Sequence, residues 1–397
     1  MYSALDLFDQ AFLALTSYSP FRWQRRLFEQ LYAGNIPHFC NLPTGLGKTS
    51  VIPIWLIALA LQAKKGATAL PRRIIYIVNR RTVVDQATSV VQEMRRRLNE
   101  PEHPCWSDYK DVLTMLGQAL RSLASTQDPV LAISTLRGEL ADNEEWKADP
   151  SKPAIIIGTI DMVGSKLLFS GYGDGRYWRA QHAGLVGQDS LIVHDEAHLT
   201  PAFSDLLHRL VEVQRQAKEP RRIYVMELTV TSRGDTSPAL KLQSEDEEDP
   251  VTGNVVKNRL DAAKKLYLHT VQVNPGDSSA HVRGRTVDKL VELAMQHRDK
   301  KAKVLIYVRS PEDARKVIES LKEKIGEDAN NRTALLTGTL RGHERDKLVG
   351  KDPVYQYFLD ANANPPLQSG WSVLQQARWV STSTRTIWSA TLLRWTP

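Results

Sequence analysis

Cysteine is nearly absent from this chain: Cys40 and Cys105 are the only two in 397 residues. Two thiols cannot build a disulfide framework, and this pair has no zinc-ligand spacing, so a reducing compartment is expected. Long apolar runs are missing as well. The longest, Val51 to Ala63, is interrupted by Pro53 and is shorter than the roughly 20 residues a membrane helix needs. No basic region precedes an apolar one at the N-terminus, so no secretory leader is read there and a cytoplasmic protein without a membrane partner is expected. Repeats of solenoid period are not apparent. Ten histidines are scattered along the chain without convincing ligand spacing, and the only His-Asp pair is His194-Asp195.

What the chain does have is a modest basic surplus, net charge +7 with a pI near 9.2. A polyanionic partner fits that balance, and so does an ordinary solvated surface. The length suits two or three domains, each with its own core. Short β-branched runs alternate with amphipathic stretches: Arg73 to Val78, Ala154 to Ile157, Leu191 to Val193 and Ile223 to Leu228. That alternation predicts an α/β protein with a mainly parallel sheet covered by helices on both faces. A polar, acidic stretch around Ser244 to Pro250 reads as an exposed loop or linker, because blocks of like charge are usually solvated. Beyond it, a basic helix near Val287 to Lys303 and a strand from Val304 to Val308 begin a second unit. The boundaries expected are a first lobe over 1–235, a linker over 236–256 and a partial second lobe over 257–397.

Two segments carry chemistry. In Asn41-Leu-Pro-Thr-Gly-Leu-Gly-Lys-Thr-Ser50, Gly45 and Gly47 let the backbone curl so that successive N–H groups face a phosphate. Lys48 then reaches the terminal phosphates, Thr49 offers a hydroxyl to Mg²⁺, and the helix that follows adds its N-terminus to the anion site. Leu42 stands where the general P-loop pattern has glycine, whereas the helicase variant P-T-G-x-G-K-T fits throughout. In the second segment, Leu191-Ile-Val-His-Asp-Glu-Ala-His198, an apolar strand delivers Asp195 to the Mg²⁺ and Glu196 to the water that attacks the γ-phosphate. The pair, in this order, predicts an ATP- and Mg²⁺-dependent hydrolase.

The order of Gln24, the P-loop, Asp-Glu-Ala-His, a threonine-rich segment after a strand and a second α/β lobe resembles superfamily 2 helicases, whose two RecA-like P-loop NTPase lobes clamp ATP. More narrowly, the chain resembles the type I CRISPR-associated effector helicase-nuclease, especially the I-U (I-G) form. Tyr76 to Gln86, Ser134 to Gly138, Gly158 to Met162 and Leu336 to Asp346 carry that likeness, which extends to about Val380.

The resemblance implies further roles. Gln24, with Phe21 and Trp23 beside it, stands where such helicases read the adenine edge, although Phe21 to Phe28 also reads as a plain amphipathic helix. Thr44, Gly45, Leu46, Gly47, Lys48, Thr49 and Ser50 would line the nucleotide. Arg80, Arg81, Thr159, Asp161, Thr337 and Gly338 would touch nucleic acid. His198, Thr229 and Thr231 would couple hydrolysis to movement, with Thr229-Val-Thr231 replacing the family's usual Ser-Ala-Thr. The implied partners are single-stranded DNA and the crRNA-guided type I CRISPR surveillance complex. Contacts of this kind go to sugar and phosphate, so sequence tolerance and salt sensitivity are expected.

The family's HD nuclease has no counterpart in these residues. After Ser383 the chain departs from the family's glycine-containing acidic stretch and runs Thr384 to Pro397 instead, which reads as a second lobe cut short by a frameshift or small deletion. Alternatives are a superfamily 2 DNA or RNA helicase outside CRISPR defence, or an inactive nucleotide-binding remnant.

Overall fold

The β-branched runs form strands whose side chains alternate between two buried faces, the period-2 pattern of a sheet covered on both sides. The computed structural model describes residues 3–79, 81–126, 128–136, 145–229, 239–261, 266–298, 303–327, 329–337, 352–355, 370–375 and 392–395. It divides into two units, Met1–Lys264 and Lys265–Pro397.

The first unit holds seven strands: β1 (Phe39–Asn41), β2 (Arg73–Val78), β3 (Ala132–Leu136), β4 (Ala154–Thr159), β5 (Ser190–Asp195), β6 (Ile223–Thr229) and β7 (Leu240–Lys241). They lie in the order β3-β4-β2-β5-β6-β1-β7, and every pairing is parallel. Along β2, Ile74, Tyr76 and Val78 face one core while Ile75 and Ile77 face the other. The same division separates Leu191 and Val193 from Ile192 on β5, and Met226 and Leu228 from Val225 on β6. On the first face lie the helices Ala4–Thr16, Arg22–Tyr32, Val51–Lys64, Arg81–Asn99 and Lys110–Arg121. Val51–Lys64 is buried all round from Val51 to Gln62, so the longest apolar run of the chain is a central core helix. The opposite face is covered by Ile160–Leu167, Arg179–Gly187 and Pro201–Gln216, through Val163, Val186, Phe203 and Leu207.

The expected linker over 236–256 is not one in its described part. Leu240–Lys241 adds the seventh strand beside β1, and short helices follow at Ser244–Glu247 and Gly253–Leu260. Both belong to the first unit, whose boundary falls at Lys264. Asp246 and Asp249 are buried, not solvated, because arginines of Arg22–Tyr32 meet them: Arg26 forms a paired contact with Asp246 at 2.6 and 3.2 Å, and Arg22 lies 3.2 Å from Asp249.

The second unit has a four-stranded sheet in the order β11-β8-β10-β9, made of β8 (Lys303–Val308), β9 (Thr333–Leu336), β10 (Gly370–Gln375) and β11 (Leu392–Trp395). β8, β9 and β10 are parallel, and β11 runs antiparallel on β8. Val304 and Ile306 pack on helices Ser279–Met295 and Pro311–Ile325. The first of these begins and ends earlier than the expected 287–303. Ser278 caps it by accepting the His281 N–H at 3.3 Å, and apolar spacing stops at Ala294. No helix among the described residues is long and apolar enough to cross a membrane.

Candidate functional site

Parallel strands deliver their following loops to one edge, which is where open α/β sheets bind ligands. Most of the residues singled out in the first unit stand on that edge. The phosphate loop follows β1, Asn79 follows β2, Thr159 ends β4, Asp195 ends β5 and Thr229 ends β6.

The loop begins where the Leu42 N–H donates to the Thr229 carbonyl at 3.1 Å, tying it to the end of β6. Gly45 and Gly47 adopt φ of +85° and +71°, the left-handed region that favours glycine, and a short 3-10 turn, Lys48–Ser50, leads into Val51–Lys64. Leu46 is buried and anchors the loop, while Thr44, Gly45 and Gly47 are exposed. The Lys48 ammonium nitrogen is buried without a hydrogen-bond partner. A buried ammonium with three N–H donors and no acceptor is costly unless an anion completes the site.

Asp195 sits at the C-terminus of β5, and its carboxylate accepts the Tyr76 hydroxyl at 2.7 Å. Burial raises the Asp195 pKa above the ordinary carboxylate value, against the opposing pull of the Tyr76 hydrogen bond and the Lys48 charge. Burial also pushes the Tyr76 phenol well above its ordinary range, with the Asp195 charge adding to it, while a hydrogen bond with Thr49 acts the other way. Thr49 and Asp195 therefore converge on one phenol. Oxygen donors of this kind fit Mg²⁺, which takes few protein ligands and keeps the rest for phosphate and water. Tyr76 itself was read only as a strand residue. A lone phenol in an otherwise aliphatic buried strand is the feature that singles it out, because a buried hydroxyl requires a partner.

Glu196 follows in a left-handed conformation, φ +52°, and its N–H donates to Asp195 Oδ1 at 2.9 Å. A non-glycine residue held there is strained, and such strain is common at active sites. His194 is fully buried, with Nε2 3.0 Å from the Thr200 hydroxyl and Nδ1 3.3 Å from that of Ser204, and burial pushes its pKa down to about 4. His198 lies in the turn Ala197–Leu199 with Nδ1 buried and without a hydrogen-bond partner.

Gln24 reaches the loop. It accepts the Phe21 N–H at 2.8 Å and donates to the Ser50 hydroxyl at 2.6 Å, and Ser50 in turn donates to the Gly47 carbonyl at 2.6 Å. Phe21 is adjacent, 3.8 Å from where a side chain on Gly47 would project. Trp23 instead is buried in the core and does not join them.

Thr159 begins the helix Ile160–Leu167 without capping it, and Asp161 is exposed in its first turn. Thr229 is buried at the end of β6, and Thr337 is buried after β9 of the second unit. Arg81 starts the helix Arg81–Asn99. Arg80, Thr231 and Gly338, like residues 376–391, lie outside the described residues. Among the described residues no cluster of three or more histidine, cysteine or carboxylate side chains could hold a metal ion.

A parallel sheet with a glycine loop after one strand and an acidic pair after another defines the class of P-loop α/β proteins. Residues 17–233, more than half of the chain, match the family described as type III restriction enzyme, res subunit, and the chain belongs to that family. No curated protein matches the sequence. Solved structures similar to it include Mycobacterium smegmatis helicase Lhr bound to ssDNA and AMP-PNP, at 15% identity and a TM-score of 0.49. This chain spans 41% of the length of that one, and the match covers 94% of this chain. Escherichia coli DEAH/RHA helicase HrpB is 13% identical with a TM-score of 0.47, over 88% of this chain and 34% of that one. S. cerevisiae Dbp5, bound to ADP among other partners, is 16% identical with a TM-score of 0.40, over 94% of this chain and 76% of that one.

Proposed function

We propose that this chain is the ATP-dependent motor of a type I CRISPR antiviral system, moving along single-stranded DNA that a crRNA-guided surveillance complex hands to it. The observation that carries the motor assignment is the buried, partnerless Lys48 ammonium beside Asp195 at the phosphate loop. Lys48 holds the terminal phosphates and the loop N–H groups from Thr44 to Ser50 cradle them. Gln24, already bonded to Ser50, stands beside the loop to read the adenine edge, and Phe21 offers it a ring. Thr49 and Asp195 would hold Mg²⁺, which supplies charge neutralisation on the phosphates. Glu196 would orient the attacking water from its strained turn. His198, Thr229 and Thr231 pass the state of the nucleotide to the strand end at β6.

Nucleic-acid contact is assigned to Arg81, Thr159 and Asp161 at the same sheet edge, to Thr337 in the second unit, and, from the sequence alone, to Arg80 and Gly338. The passages Asn79-Arg80-Arg81 and Thr337 to Asp346 support the CRISPR reading over other superfamily 2 motors. The test is ATP turnover by the purified chain with no nucleic acid, with single-stranded DNA and with single-stranded RNA of matched sequence. Stimulation by DNA of unrelated sequences is expected. Stimulation by RNA alone would move the chain to a different branch of helicases, and no turnover under any condition would leave a nucleotide-binding remnant.

A further inference from the structure

The acidic segment that folds onto the first unit ends in the helix Gly253–Leu260, and its last turn carries Arg259. A methyl group placed on Gly45 would lie 3.5 Å from Arg259 Nη1 and 3.8 Å from its Cδ. The guanidinium therefore rests on the middle of the phosphate loop, beside the glycine whose left-handed backbone shapes the cradle. Arg259 is exposed, and among the described residues it has no ion-pair partner. The segment behind it is held in place by Asp249, which accepts N–H groups of Val251 and Thr252 and the Thr252 hydroxyl at 2.8–3.0 Å and meets Arg22 at 3.2 Å. Arg22 opens the helix that also presents Gln24 to the loop. One scaffold thus positions a residue beside Ser50 and a cation beside Gly45.

We infer that Arg259 is a phosphate-contacting residue supplied by the first unit itself, its guanidinium donating to the terminal phosphate oxygens of a nucleoside triphosphate held in the loop. This rests on the assignment of residues 44–50 as a nucleotide site. A planar guanidinium fits phosphate with two parallel donors, and on a loop that already holds Lys48 it adds a second positive charge where the negative charge of the β- and γ-phosphates would lie. Among the described residues no ion pair holds Arg259, and a bound triphosphate would give its guanidinium an anionic partner.

The experiment compares binding of ATP, ADP and AMP to the full chain in its wild-type, Arg259→Ala, Arg259→Lys, Lys257→Ala and Lys48→Ala forms, with thermal unfolding of each. Lys257 is exposed on the same helix and serves as the control for a general loss of positive charge. Arg259→Ala should weaken ATP about 10-fold or more, in line with loss of a charge-assisted contact, while AMP affinity and the unfolding midpoint stay unchanged. Arg259→Lys should recover part of the loss, and Lys257→Ala should match wild type. Equal ATP affinity in Arg259→Ala and wild type would overturn the inference, as would an equal loss for ATP and AMP. Unchanged ATP binding in Lys48→Ala would overturn the phosphate-loop assignment itself and the inference with it, which separates the two failures.

Discussion

Tyr76 is the side chain on which the hydrolytic edge of the sheet is organised. Its hydroxyl donates to Asp195 and lies within reach of Thr49, so the two groups assigned to the cation share one neighbour. Tyr76→Phe leaves a buried carboxylate short of one donor. A loss of about 1–3 kcal/mol in unfolding free energy is expected from that unmade bond, together with weaker retention of Mg²⁺. Denaturant unfolding measures the first, and ATP turnover titrated with Mg²⁺ measures the second; a Phe variant identical to wild type in both would remove Tyr76 from the site. The two cysteines separate as clearly. Cys40 is buried in β1 and desolvation pushes its thiol up to about 12, while Cys105 is exposed. One thiol should react quickly with an aromatic disulfide reagent in the native protein and the second only after denaturation; two fast thiols would contradict the buried β1. At this scale Lys48, Thr49, Asp195 and Glu196 stood out as candidates because their residue types and order suit phosphate chemistry, and Gln24 because the resemblance places such a residue before the loop. Tyr76 and Arg259 were not, since each matters through a neighbour far away in sequence.

Among the elements, the acidic segment shows where sequence pattern misleads. Ser244 to Pro250 carries five carboxylates, and charge density alone predicts a solvated linker. Instead it sits between an edge strand, Leu240–Lys241, and the helix Gly253–Leu260, and forms a short helix of its own, Ser244–Glu247, against Arg22–Tyr32. The difference arises because Arg22, Arg25 and Arg26 supply the counter-charges, and nothing in the local sequence links the two segments across more than 200 residues. Arg26→Ala would leave Asp246 buried without its cation, and a loss of about 3 kcal/mol follows from breaking a buried pair by one partner. The expected readout is faster proteolysis within 239–261 with the rest of the first unit intact. Unchanged proteolysis would restore the linker reading. Asp249 adds a pH dependence. Burial acts to raise its pKa, but hydrogen bonds from Thr252 and Val251 and from Arg22 win and hold it below the ordinary value. The stability it contributes is therefore complete above about pH 4, the unfolded carboxylate value, and is lost as pH falls through the lower folded value. Acid titration of Asp249→Asn should lack that part of the slope; an unchanged slope would show that Asp249 is not held this way. By contrast, β2, β4, β5, β6 and β8 were legible to within two residues at each end, because β-branched runs buried in a sheet leave little else for the chain to form.

For the whole chain, the modest excess of basic over acidic residues matters through where binding would occur, not through its size. Single-stranded DNA should bind with little sequence preference, and the logarithm of affinity should fall linearly with the logarithm of salt, with a slope of about −0.7 per phosphate contacted. Salt-independent, base-specific binding would contradict the backbone-tracking assignment. The acidic stretch, expected as a separate linker over 236–256, belongs in its described part to the first unit, which runs to Lys264, because its charge partners lie in the helix Arg22–Tyr32. The central claim is that the loop from Thr44 to Ser50 and the pair Asp195-Glu196 form one ATP-hydrolysing site. Nucleotide affinity and turnover of Lys48→Ala and Glu196→Gln, measured side by side with wild type, test it most directly. Lys48→Ala should lose ATP binding, since a phosphate contact is gone, whereas Glu196→Gln should bind ATP normally and leave it uncleaved, since only the water-orienting carboxylate is gone. Normal hydrolysis by Glu196→Gln, or normal ATP binding by Lys48→Ala, would contradict it.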